Sequence, residues 1–357
     1  MFKKIIPILF VLSLLTAGCG MLSGTQTGPI EITDSTGQTA IFNTLPERIA
    51  IAGKATVMVQ DTIFLFEEAS ERVNAIENRR QSAYNFLPVV DPQFESKEFF
   101  EMNAGAEQVA AVQPDLVLMK NFMAGDLGEP LQQLDIPVLY LDLETPEAFY
   151  QDVRMLGEVF GNQERSEDIL NYYQARVDLV ESIAEDVSQI PDVLLLRYSS
   201  DGGEVAFSVP PVAWLQTEMV RLAGGNPVWA EGEFSGGWTV ITLEQVAAYD
   251  PDQIFLIDYQ GEAGQLTASL AQDPIWKEFK AVQNDQLFAF AYDFYSWDQP
   301  DTRWILGLEW LATKINPDAA AEIDILEEVE TFYREMYRLT ESEIETEVLP
   351  KLKGDLP

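Results

Sequence analysis

Histidine is missing from this chain altogether. Its absence removes imidazole metal ligands, proximal-His haem ligation, and every catalytic arrangement in which a His serves as the base. Cysteine occurs once, as Cys19, so no internal disulfide can form. Basic residues are scarce: 22 Lys and Arg against 59 Asp and Glu give a formal net charge of −37 at pH 7 and a pI near 4.1. Nucleic acid and anionic lipid surfaces are poor partners for such a chain, because phosphate binding needs a basic surface. The chain also lacks a Gly-x-Ser-x-Gly elbow, a Walker loop and a cysteine cluster. The charge fits solubility outside the cell.

What is present begins with an export signal. Lys3 and Lys4 precede an apolar run from Ile5 to Ala17, followed by Gly18-Cys19-Gly20. The run is shorter than the ~20 residues that cross a bilayer. Residues 1–18 are expected as a signal peptide, and 19–29 as a tether rich in Ser, Thr and Gly. Over 300 residues remain, and the hydrophobic content of 47% is that of a globular protein with room for two cores.

One pattern occurs twice. Glu107-Gln108-Val109-Ala110-Ala111-Val112-Gln113-Pro114-Asp115 leads into Leu116-Val117-Leu118, and Glu244-Gln245-Val246-Ala247-Ala248-Tyr249-Asp250-Pro251-Asp252 leads into Gln253-Ile254-Phe255. Each copy reads as a helix, a proline stop and a strand. The separation, 244 − 107 = 137 residues, is too long for a solenoid and implies two similarly built lobes with a cleft between them. Around the corners, strands alternate with helices. A hairpin is expected at Ile30 to Phe42, and strands at Arg48–Ala52, Val73–Ile76, Leu116–Met119, Pro137–Leu141, Val193–Arg197, Ile254–Ile257 and Leu287–Ala291. Thr145-Pro146 opens a helix that stops near Gly161. Ile169, Tyr173, Val177 and Val180 share one face of a longer helix, Glu164 to Ser188, which would span roughly 37 Å and join the lobes. A helix is also expected from Pro300 through Leu311. The fold class is α/β: two Rossmann-like lobes with central parallel sheets joined by a long bridging α-helix. The expected lobes are 30–160 and 191–318, with the bridge at 161–190 and an acidic helical tail at 319–357.

Leu14-Leu15-Thr16-Ala17-Gly18-Cys19 looks like a bacterial lipobox, with Thr16 where Leu is more usual. Together with the two Glu-x-Val-x-x-x-x-Pro-Asp corners and the Ser296-Trp297-Asp298-Gln299-Pro300 to Trp310 block, it makes the chain resemble the class III substrate-binding proteins of ABC importers. That class captures ferric siderophores, cobalamin, haem and some oxyanions. The resemblance implies lipidation at Cys19 and attachment to the outer side of a cell membrane. It also implies a monomer, and docking of Glu107 and Glu244 against Arg residues of a permease dimer that works with an ATPase. It implies no cofactor and no enzymatic activity.

Ligands of such folds sit where strand carboxyl ends face each other. The candidates from the first lobe are Lys54, Arg79, Arg80, Tyr84 and Lys120. Those from the second are Arg197, Trp238, Tyr259, Tyr295 and Trp297. Basic groups against an acidic background attract an anion, and aromatic faces stack on a flat organic group. The expected ligand is therefore an iron chelate of siderophore type. Molybdate or tungstate, or cobalamin, are the alternatives within the class. Trp238 and Trp297 have packing as an alternative role, and Arg197 has pairing with a nearby carboxylate. A different class of function, an anchored hydrolase using Asp258, Asp293 or Asp298, stays open at this point.

Overall fold

The protein is described here by a computed structural model covering residues 28–78, 82–185, 189–200, 205–232, 234 and 236–357. The expected signal peptide, Cys19, most of the tether, Arg79, Arg80 and the Asp201-Gly202-Gly203 turn lie outside the described residues.

Two strands, β1 (Ile30–Thr33) and β2 (Thr39–Phe42), form the expected antiparallel hairpin. The Asp34 carboxylate closes its turn by accepting from Thr36 N–H at 2.9 Å, and pins it to the first lobe by accepting from Tyr140 N–H at 3.1 Å. The first sheet holds β3 (Ile49–Ile51), β4 (Val73–Glu77), β5 (Glu98–Phe100), β6 (Leu116–Lys120) and β7 (Val138–Leu141). Its order is β5-β4-β3-β6-β7 and every pairing is parallel. Strands β3, β6 and β7 are buried along their whole length, as continuous apolar runs covered on both faces should be.

The second sheet holds β8 (Asp192–Ser199), β9 (Ala206–Val209), β10 (Asn226–Pro227), β11 (Thr239–Ile241), β12 (Gln253–Ile257) and β13 (Leu287–Ala289). Its order is β11-β9-β8-β12-β13, with β10 also on β8. The core pairs, β8 with β12 and β12 with β13, are parallel, whereas β9 runs antiparallel to both β8 and β11. Residues 200–205 between β8 and β9 are too few for the crossover that a parallel neighbour needs.

The repeated corner does the same job in both sheets. The Asp115 carboxylate accepts from the backbone N–H groups of Glu47 at 2.8 Å and Arg48 at 2.9 Å, just ahead of β3. The Asp252 carboxylate accepts from Asp192 N–H at 2.9 Å, at the start of β8. Each Pro-Asp thus clamps the amino end of the central strand to the strand that follows the corner. Each corner helix, Ala106–Ala111 and Leu243–Tyr249, has a glutamine reaching back to its cap: Gln108 to Gly105 N–H and Gln245 to Thr242 N–H, both at 2.9 Å.

Helix Pro146–Phe160 starts and stops as expected, with Thr145 Oγ1 accepting from Ala148 N–H and Gly161 at φ 69°. The bridging helix, Gln163–Glu185, buries Ile169, Tyr173, Val177 and Val180. It packs on helix Pro146–Phe160 of the first lobe and on helix Trp304–Ile315 of the second. The latter begins at Trp304 and not at Pro300. The Asp301 carboxylate accepts from Arg303 N–H at 2.8 Å, which turns residues 300–303 into a loop.

The C-terminal segment is more than an acidic tail. Helix Ile325–Tyr337 buries Val329, Phe332, Tyr333 and Met336. Tyr337 Oη donates to Asp61 O in the first lobe at 2.9 Å, and Tyr333 Oη donates to the Asp293 carboxylate in the second. Among the described residues, no helix is long and apolar enough to cross a membrane.

Candidate ligand site at the seam

Loops at the carboxyl edges of the two sheets meet. After β4, Ser82 Oγ lies 2.8 Å from Tyr292 Oη and also bonds Phe294 O, while Ala83 N–H donates to Tyr292 Oη at 3.2 Å. A cavity of about 420 Å³ opens beneath this first-lobe loop, lined by Gln60, Asn78, Tyr84, Asn85, Phe94 and others, with Phe294 contributed by the second lobe. Glu77, fully buried at the end of β4, accepts from Gly53 N–H at 2.6 Å and from Asn103 N–H at 2.8 Å. It therefore fixes the loop after β3, where Gly53 sits at φ 97°, a conformation that suits glycine. Lys54, next in that loop, is exposed.

The second lobe presents an aromatic wall around one cation. The Arg197 guanidinium lies 5.0 Å from the Trp238 ring and 5.8 Å from the Tyr259 ring. Trp214 and Tyr259 each pack edge-on to Trp238 at 6.3 Å. Arg197 Nε is buried with no hydrogen-bond partner, and among the described residues Arg197 makes no ion pair. Behind the wall sits Asp298, fully buried. It accepts from Ser296 Oγ at 2.5 Å, Gln299 Nε2 at 2.9 Å, Tyr259 Oη at 3.2 Å and Gln216 Nε2 at 3.4 Å. Burial pushes its carboxyl up to about 6, against the pull of those donors. The Ser296 to Gln299 block therefore supports the wall from behind.

Several expected ligand residues point elsewhere. Lys120 is fully buried, and its ammonium is committed inside its own lobe to Glu144, at 2.8 Å, and to Asp142 O. Trp297 is fully buried core, and Tyr295 is 3% exposed with its hydroxyl on Gln299 Oε1. Position just past a strand does not say which way a side chain turns. Arg79 and Arg80 lie outside the described residues. Tyr84 lines the cavity and Tyr259 stands in the wall. Glu107 and Glu244 are both exposed in the first turns of their corner helices. The acids a hydrolase would need are occupied: Asp293 bonds Arg303 and Tyr333, Asp298 is the buried hub, and Asp258 accepts from Glu262 N–H.

A group missed by sequence reasoning joins the lobes. Arg303, fully buried, reaches Asp61 of the first lobe at 2.5 Å, and Asp293 at 2.8 Å and Asp301 at 2.9 Å in the second. Burial, opposed by Arg303, raises the Asp61 and Asp301 carboxyls above their ordinary range. No local signal marks the Asp61 arm of this cluster, because Asp61 lies 242 residues from Arg303 in the chain.

Residues 77–291, more than half the chain, match the family described as periplasmic binding protein. The chain belongs to the periplasmic binding protein family. This binding protein is 21% identical over 322 residues to the molybdate-binding protein MolA of Haemophilus influenzae, covering 83% of this chain and 88% of that one. It is 25% identical over 153 residues to the vitamin B12-binding protein of Pectobacterium atrosepticum, covering 42% and 53%. Among solved structures, a periplasmic solute binding protein from Veillonella parvula has a TM-score of 0.71 at 22% identity, covering 90% of this chain and 97% of that one. MolA bound to molybdate has a TM-score of 0.69 at 18% identity, covering 87% and 98%. At such identities the structural likeness speaks for the fold: two lobes, a bridge and a seam.

Proposed function

We propose that this binding protein captures an anionic, ring-bearing metal chelate of the iron–siderophore type at the seam and delivers it to its permease. The observation that carries this reading is Arg197, a guanidinium beside Trp238 and Tyr259 whose buried Nε has no acceptor among the described residues. A buried donor without a partner is costly, and a ligand carboxylate, phenolate or oxyanion would relieve that cost. The flanking rings offer flat apolar faces to the same ligand. Lys54, Tyr84 and the Arg79-Arg80 pair complete the reading from the first lobe. Glu107 and Glu244 stand for permease docking, one from each lobe, on helices that begin at the carboxyl edges of their sheets. Lipidation of Cys19 would tether a monomer outside the cell membrane.

A second reading, molybdate or tungstate, is favoured by the similarity to MolA over nearly the whole of both chains. Cobalamin has support over a shorter span. Quenching of the seven tryptophans by ferric tris-catecholate, ferric hydroxamate, cobalamin, haem and molybdate discriminates among them. The expected result is saturable binding of the catecholate, weakened about tenfold or more in Arg197→Gln. Saturable binding of molybdate alone would replace the chelate with the oxyanion. Binding of neither, or an Arg197→Gln variant that binds the catecholate as well as wild type, would sink the reading.

A further inference from the structure

The C-terminus brings a second cation to the seam. Lys353 pairs with Tyr292 by two backbone hydrogen bonds, N–H to Tyr292 O at 2.8 Å and O from Tyr292 N–H at 3.1 Å. Two residues on, the Asp355 carboxylate accepts from Ala289 N–H at 2.6 Å, and Trp310 Nε1 donates to Asp355 O at 3.1 Å. Between them Gly354 has φ +91°, and a Cβ there would meet Phe290 O at 2.4 Å. The strap is therefore laid closely along the loop that follows β13, and its backbone fixes where the Lys353 side chain emerges.

That side chain emerges between the lobes. Its ammonium is 5.5 Å from the ring of Tyr84, which lines the first-lobe cavity, and 5.9 Å from the ring of Tyr292 in the second lobe. Its carboxylate partner is Glu262 at 3.3 Å, with the lysine side chain 30% and the glutamate side chain 51% exposed. An exposed pair at this distance is a weak reason to place a cation there. In a chain with 22 basic and 59 acidic residues, a cation at the mouth of a cleft changes the local field that an incoming anion meets.

We infer that Lys353 is a ligand-contacting residue: the strap carries its ammonium to the seam, and Glu262 holds it there until an anionic ligand takes it over. This rests on the reading that the seam receives an anion, and it adds a site residue from the far end of the chain. The two partners give the test. If the pair is only structural, Lys353→Gln and Glu262→Gln break the same bond and act alike. If Lys353 meets the ligand, only Lys353→Gln weakens binding.

Ferric tris-catecholate and molybdate serve as probes, titrated by tryptophan quenching against wild type, both variants and Arg197→Gln, with thermal midpoints recorded for each. The expected result is that Lys353→Gln weakens binding of the anion about fivefold, while Glu262→Gln leaves it unchanged or tightens it. Equal weakening in both variants, or no change in Lys353→Gln while Arg197→Gln fails to bind, overturns this inference and leaves the functional reading standing. A wild-type protein that binds neither anion overturns both.

Discussion

At the scale of single residues, Arg303 is the side chain on which the most charge converges. One guanidinium faces Asp61, Asp293 and Asp301, all buried. One positive charge cannot balance three negative ones, and burial raises the Asp61 and Asp301 carboxyls toward the protonated form. The two sides of the cluster should therefore respond unequally. Arg303→Gln leaves carboxyls buried without their cation and should cost about 3–5 kcal/mol. Asp61→Asn removes surplus negative charge while keeping the shape of the side chain, and should cost about 1 kcal/mol or less. Urea unfolding midpoints at constant slope measure both. Equal costs would mean that the cluster is held by hydrogen-bond geometry and not by charge. Sequence could not reveal this group, since Asp61 lies 242 residues from Arg303. Position near a strand end singled out Arg197, inside β8, and Tyr259, just past β12, and both stand in the aromatic wall. The same rule also named Lys120, whose ammonium is committed inside its own lobe, and Trp297, which is fully buried.

Among elements, the repeated corner was readable because its whole signal fits within a dozen residues: helix formers, a proline stop, an aspartate and a β-favouring run. The aspartate's purpose was not readable, because its partners lie at the start of another strand. Asp115 accepts from Glu47 and Arg48 N–H, and the Arg48 side chain donates to the two carbonyls just past the corner helix, Val112 O and Gln113 O. Asp115→Ala leaves those two backbone donors to water and loosens the register of β3 on β6. Destabilisation of roughly 1–3 kcal/mol is expected. The signature should be local: faster amide exchange in Ile49–Ile51 than in β12, which the unaltered Asp252 still clamps. Uniform loss of protection in both sheets would contradict a lobe-specific clamp. Strands β5, β9, β10 and β11 escaped sequence reading for a different reason. At two to four residues each, they are too short to show alternation, and the hand of β9 follows from a short connection and not from its composition.

For the whole molecule, the absence of histidine leaves proton uptake between pH 5 and 8 to shifted carboxyls. Burial is the first cause in each case. It lifts Asp152 to about 7, even though two backbone donors oppose it, and lifts Glu309 to about 8, with Glu328 adding to the rise and Arg176 opposing it. Asp298 stands at about 6. A folded-state pKa raised above the unfolded value means that the native state binds the proton more tightly. The stability each group contributes is complete below the unfolded value near 4 and is lost as pH rises through 6, 7 and 8 in turn. The slope is at most about 1.4 kcal/mol per pH unit for each group. A few carboxyls act the other way: hydrogen bonds from Lys280 to Asp252 and from Thr340 to Glu343 lower both. Their contribution is present above pH 4–4.5 and fades in stronger acid, which sets a lower limit. Thermal midpoints should therefore peak at about pH 4–4.5, where both contributions overlap, and decline from there toward pH 8. Relief of repulsion among 59 acidic residues predicts the same direction, so salt must separate the two causes. Repulsion between exposed charges is screened at about 0.5 M salt, whereas a buried proton is not. The decline should persist in high salt for wild type and become shallower in Glu309→Gln and in Asp152→Asn. A decline that salt abolishes and these substitutions leave untouched would assign the pH response to the surface instead of the buried carboxyls.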